Sequence, residues 1–185
     1  ANSCREGRLL PPFALARSWK RCYWALEFNR LSLPSRRCAL IVVGDAAGQW
    51  VAEAVNVVWH PDMTAVAWMA DGELVAGILY EAYTGASIGM HSRVTDPSKV
   101  TRQWLFSIFD YPFNELGCRR VTGMVPSDNL QAQQIDERLG FEFEARLTGY
   151  YPTCDALIYV MWKEDCRWIK LREKTHGRKK FPESP

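Results

Sequence analysis

The side chains that can move a proton or hold an anion fall between residues 81 and 136 of this 185-residue chain. His91 lies in a stretch that reads as a strand, Ser87–Arg93, and Glu81 closes the strand-like stretch before it, Glu73–Glu81. Histidine exchanges its proton near neutral pH and suits a general base. The plainer alternatives are a satisfied sheet histidine and a solvated carboxylate at a strand end. Next comes Arg93-Val-Thr-Asp-Pro-Ser-Lys-Val-Thr-Arg102. Its cations Arg93, Lys99 and Arg102 could grip a phosphate, and Ser98 and Thr101 could add hydroxyl donors at a helix start. The alternative is a solvated helix start. Asn129 follows a strand and opens a helix, where a plain N-cap favours Asn. Asp136 lies on that helix as a surface carboxylate, or as an acid if burial raises its pKa.

No metal centre is expected. Cys4, Cys22, Cys38, Cys118, Cys154 and Cys166 are scattered, with no C-x-x-C pair and no histidine at ligand spacing. Free thiols in a reducing cytosol are the expectation.

Those groups need a scaffold. The pattern predicts a strand at Cys38–Val43 and a helix at Ala46–Val55 with Asp45 as N-cap. Strands follow at Thr64–Met69, Glu73–Glu81 and Ser87–Arg93, the first two joined by Asp71-Gly72, a strong hairpin signal. A helix is expected from Pro97, capped by Asp96, to about Leu116, stopping at Gly117. Then come a strand at Arg120–Val125, a helix at Leu130–Leu139 ended by Gly140, and strands at Phe141–Arg146 and Ala156–Trp162. This mixed order predicts an α/β sheet with helices on both faces.

Charge is segregated. Residues 1–37 carry eight Lys/Arg against two acids, residues 38–162 seven against fifteen, and residues 163–185 eight against four, giving +6, −8 and +4. An amphipathic helix is expected over Ala14–Leu31, with the stripe Leu15, Trp19, Tyr23 and Leu26 and a basic back. Basic arms of this kind dock on nucleic acid, on an acidic protein surface, or on the acidic body itself. No apolar run is long enough to cross a membrane. The opening ANSCREGRLLPP lacks the apolar core of a secretory signal, so the expected location is cytoplasmic.

One combination of motifs points further. Leu116-Gly-Cys-Arg-Arg-Val-Thr-Gly-Met-Val-Pro-Ser-Asp-Asn129, then Ala132, then Glu137-Arg138-Leu139-Gly140-Phe141, resembles the second half of GNAT acetyltransferases. The hairpin through Gly77, the strand with Met90-His91 and the FDYPFNELG helix end also fit. The likeness is to the branch that acetylates ribosomal-protein N-termini and, in detail, to the GNAT-like proteins of tailed bacteriophages. It covers roughly residues 38–168, flanked by a basic N-terminal arm (1–37) and a basic tail (169–185). The resemblance implies two parallel strands, near Ser87–Arg93 and Arg120–Val125, that splay to admit the pantetheine arm of acetyl-CoA. It implies a diphosphate on the N-terminus of the next helix, attended by Arg93, Ser98, Lys99, Thr101 and Arg102, and a cofactor-facing Asn129. Glu81 and His91 would face a primary-amine acceptor, on a protein or a small molecule.

Two positions depart from the family pattern. The diphosphate loop is normally glycine-rich, and here it has no glycine and contains Asp96. The tyrosine that often protonates the leaving thiolate, seven residues after the Asn, is Asp136. The alternative implied by these departures is a catalytically degenerate GNAT-fold interaction protein, such as a phage particle component docking through its arms. Its location would then be the host cytoplasm or the virion, and a homo-oligomer is compatible with either reading.

Overall fold

The computed structural model describes residues 40–171. The expected Ala14–Leu31 helix, both arms beyond residue 171 and before residue 40, and the first residues of the Cys38–Val43 strand lie outside them. The described chain contains β1 (Leu40–Val43), α1 (Asp45–Val55), β2 (Thr64–Ala70), β3 (Glu73–Glu81) and β4 (Ser87–Val94). It continues with α2 (Arg102–Asp110), β5 (Arg120–Pro126), α3 (Leu130–Leu139), β6 (Glu142–Leu147) and β7 (Ala156–Trp162). No described helix is long and apolar enough to cross a membrane.

The seven strands form one sheet in the order β1-β2-β3-β4-β5-β7-β6. Every neighbouring pair is antiparallel except β4 and β5. The β2–β3 turn is the expected Asp71-Gly72, with φ of 54° and 87°, the left-handed pair that matches strand twist.

Alternation divides the sheet faces. On one face α1 buries Ala47, Gly48, Val51 and Ala52, and Val51 and Ala52 cluster with Leu79 of β3. Gly77 makes this approach possible, since a Cβ there would stand 2.6 Å from Val51 Cγ2. On the other face Trp104, Ile108 and Phe109 of α2 join Tyr80, Ile88, Met90, Val121, Phe141 and Tyr159 in the main core. Trp168 and Ile169 also pack on that core, and Trp168 Nε1 donates to the Leu139 carbonyl at 2.8 Å.

Two helix expectations are corrected. Gly44, not Asp45, is the N-cap of α1. The single helix expected over Pro97–Leu116 is three pieces. Pro97–Lys99 is a 3₁₀ turn capped by Asp96, Val100 and Thr101 are extended, and α2 starts afresh at Arg102 under a Thr101 cap. At the far end Tyr111–Glu115 widens into a π turn, closed by Leu116 N–H donating to the Tyr111 carbonyl at 3.0 Å. Pro112 has no N–H to give the Ile108 carbonyl, which instead accepts from the Tyr80 hydroxyl at 2.5 Å.

Cys118 and Cys166 are buried free thiols and Cys154 is a half-buried one.

Candidate active site

β4 and β5 share only three rungs, Ser87↔Arg120, Ile88↔Val121 and Gly89↔Thr122. Beyond them β4 runs to Val94 still paired with β3, and β5 runs to Pro126 still paired with β7. The two strands therefore part in the middle of the sheet, as the parallel splay expected from sequence requires. Their facing backbone edges lack the ladder that would satisfy them, so an amide-bearing ligand could complete it.

On the α1 face of this slot, Glu81 and His91 meet. Glu81 pairs in register with Gly89, and Leu79 with His91, so both side chains leave the sheet on the side of α1. His91 Nε2 lies 2.7 Å from Glu81 Oε1, with side chains 18% and 32% exposed. That leaves a neutral or charged imidazole oriented by a carboxylate and still reachable by solvent. Two local features hold Glu81. Gly89 gives it room, for a Cβ there would stand 3.3 Å from its carbonyl oxygen and 3.4 Å from its Cγ. The next residue, Ala82, sits at φ 51°, a left-handed conformation that costs an alanine about 1 kcal/mol or more.

Arg93 shares the α1 face but has other partners. Its Nη1 donates to the Trp50 carbonyl at 2.5 Å, and its guanidinium lies 4.3 Å from the centre of the Trp50 ring.

Asp136 occupies the opposite face. It is half-buried on α3, and a Cβ on Gly123 of β5 would stand 3.6 Å from its Oδ2. Burial pushes its carboxyl up to about 7. No hydrogen-bond or ionic partner is described for that side chain. Gly123 lies one residue past the last β4–β5 rung, and His91 two residues past it. The imidazole and the raised carboxyl thus flank the mouth of the same slot from opposite faces.

The loop from β4 to α2 places the remaining candidates. Asp96 Oδ1 accepts from Ser98 N–H at 3.0 Å and from Ser98 Oγ–H at 2.6 Å. Lys99 Nζ lies 3.2 Å from Asp71 and 3.7 Å from Asp96. Thr101 Oγ1 accepts from Trp104 N–H at 3.2 Å. Arg102 is exposed, with no partner among the described residues. Asn129 Oδ1 caps α3 by accepting from Ala132 N–H at 3.1 Å, which leaves its side-chain amide N–H groups available.

Gly89 and Trp50 did not stand out in the sequence. A glycine inside a strand is the signal that marks close approach of a neighbour, and it would have pointed to Gly89. The Trp50 contact has no sequence signal, because α1 and β4 meet only in the folded sheet.

No family model and no curated protein sequence matches the chain. Solved structures do resemble it. A mutant of the Vibrio cholerae spermidine N-acetyltransferase SpeG superposes with a TM-score of 0.58 at 12% identity, over 70% of this chain and 96% of that one. Another mutant form of SpeG, with glutamates replaced by glutamine, gives 0.55 at 12% identity, over 69% and 96%. A T. thermophilus protein catalogued as an acetyltransferase gives 0.54 at 20% identity, over 69% and 73%. With its mixed seven-stranded sheet split between β4 and β5, the chain has the GNAT-type α/β fold of the acetyltransferases.

Proposed function

We propose that this chain transfers an acetyl group from acetyl-CoA to a primary amine. The observation that carries the reading is the slot where β4 and β5 part after three rungs, with His91 and Glu81 on one face and Asp136 on the other. A pantetheine arm has amides able to pair with both open strand edges, so the residues present fit that part of the donor. In this reading the amine nitrogen attacks the thioester carbonyl carbon, a C–N bond forms and the C–S bond breaks. His91, oriented by Glu81, takes the proton from the attacking nitrogen. Asp136, held largely protonated near neutral pH, returns a proton to the leaving sulfur. A free N–H on the slot's edge receives the developing oxyanion. Asn129 and Arg102, whose donors have no partner within the described chain, are the candidate contacts for the donor's polar end. Spermidine N-acetyltransferase, the name of the V. cholerae neighbour, is consistent with an amine acceptor.

The test is calorimetry with acetyl-CoA, followed by thiol release in the presence of a panel of primary amines. Micromolar binding and amine-dependent thiol release are expected. Failure to bind at millimolar acetyl-CoA overturns the reading.

A second reading, a GNAT fold kept as an interaction module such as a phage particle component, is favoured by one observation. The loop where a diphosphate would dock contains a carboxylate and no glycine. The same calorimetry separates the two.

A further inference from the structure

The β4–α2 loop has no backbone donor to offer a diphosphate. Thr95 and Asp96 N–H both point to the Val75 carbonyl, at 2.9 and 3.4 Å. Ser98 N–H goes to the Asp96 carboxylate, Lys99 N–H to the Asp96 carbonyl at 3.2 Å, and Val100 N–H to the Pro97 carbonyl at 3.2 Å. Pro97 has none to give. From Thr95 to Val100, every N–H is thus engaged inside the chain. One residue on, Thr101 takes up the Trp104 N–H that the start of α2 would otherwise present.

Charge works in the same direction. Lys99 is held between Asp71 and Asp96, with Glu73 close enough to contribute to its field. Asp96 is kept ionised below the usual carboxylate range, chiefly by the Ser98 hydroxyl. Three carboxylates around one ammonium form a net negative surround, and phosphate binding needs free N–H groups and positive potential. The slot between β4 and β5 is the reverse, since its open backbone edges suit the amides of pantetheine.

We infer that the acyl donor is recognised through its pantetheine arm and thioester, and that the nucleotide diphosphate adds nothing to recognition. The donor class is then pantetheine thioesters in general, including those with a single phosphate or none. This rests on the acetyl transfer proposed above. The step is unchanged: the acetyl C–S bond breaks, a C–N bond forms, and the proton lost by the amine ends on the pantetheine sulfur, with no other reactant.

The experiment compares kcat/KM of the full chain with four donors: acetyl-CoA, S-acetyl-4′-phosphopantetheine, S-acetylpantetheine and S-acetyl-N-acetylcysteamine. The first three are expected to agree within about tenfold. The last, which lacks one of the pantetheine amides, is expected to fall at least tenfold below them. A working diphosphate nest, with two charge-assisted bonds, would instead favour acetyl-CoA by about a hundredfold or more. An advantage of acetyl-CoA above tenfold therefore overturns the inference and leaves acetyl transfer standing, and so does equal use of the truncated donor. No turnover and no binding with any of the four overturns acetyl transfer and the inference with it. In Asp96→Gly, which frees the Ser98 N–H and unbalances the hold on Lys99, acetyl-CoA should gain at least tenfold relative to S-acetylpantetheine. An unchanged ratio in a variant that is folded by circular dichroism counts against the loop's closure as the cause.

Discussion

Asp136 of α3 lies over Gly123 of β5, its Oδ2 3.6 Å from where a β-carbon on that glycine would stand. A half-buried carboxyl with no described partner is costly to ionise, and this one is raised from 3.8 to about 7. Below about pH 4 the folded and unfolded chains both hold this proton, and the group is neutral in its effect. Between about 4 and 7 the folded chain keeps the proton and the unfolded chain loses it, so stability falls as pH rises. Asp136→Asn is therefore expected to stabilise the fold by about 2–4 kcal/mol at pH 8 and by nothing near pH 4. Urea unfolding at the two pH values measures this. A gain that does not depend on pH would show that the carboxyl is not raised.

The same proton has a kinetic signature. If Asp136 protonates the leaving sulfur, kcat should decline as pH rises through about 7. In Asp136→Asn the rate should be lower and this decline absent. A decline that survives the substitution assigns it to another group.

His91 and Glu81 are 2.7 Å apart. His91→Ala should lower kcat about 10²–10⁴-fold, the usual worth of a general base, with little change in donor affinity. Glu81→Gln keeps an oxygen within reach of the ring but removes its charge, and its loss should be smaller. Gly89→Ala adds a carbon 3.3–3.4 Å from Glu81 atoms and should mimic the Glu81 variant without touching the imidazole. Steady-state kinetics of the three variants, with acetyl-CoA affinity from calorimetry, checks the order.

Gly77→Ala should destabilise the fold. The added carbon would stand 2.6 Å from Val51 Cγ2 and 3.0 Å from the Trp50 ring, both on the helix that covers this face. Overpacking of a closed interface costs about 1–3 kcal/mol. Because Trp50 also carries Arg93, the change should loosen that stack. Denaturant midpoints, with Trp fluorescence for the Trp50 environment, measure both effects.

The fold was legible where local chemistry decides structure. Asp71-Gly72 supplied its own left-handed turn, and Asn129 and Gly140 bracketed α3 as a cap and a stop should. The misreading at Pro97–Leu116 came from treating one apolar period as one helix. Thr101 can restart a helix only if the chain before it is extended, and Pro112 widens the helix end because the Tyr80 hydroxyl takes the orphaned carbonyl from another element. The Glu81–His91 meeting followed from placing both on adjacent strands. The raised carboxyl of Asp136 did not, since its burial comes from packing against Gly123, a contact between β5 and α3 that sequence spacing does not encode. The closed diphosphate loop was half visible. Asp96 ahead of Pro97 announced a capped turn, but the second carboxylate on Lys99 comes from the β2–β3 hairpin.

The three-rung joint between β4 and β5 also divides the molecule in time. β2–β3 and β3–β4 are pairings of neighbours in sequence, and β6–β7 is another, whereas Ser87 and Arg120 are 33 positions apart. Loop closure favours short-range pairings first. The β1–β4 meander should therefore acquire hydrogen-exchange protection as one cooperative unit. The seam at Ile88 and Val121 should gain it late and lose it early during opening. Because only three rungs cross that seam, the two halves of the sheet can rock about it without breaking either antiparallel ladder.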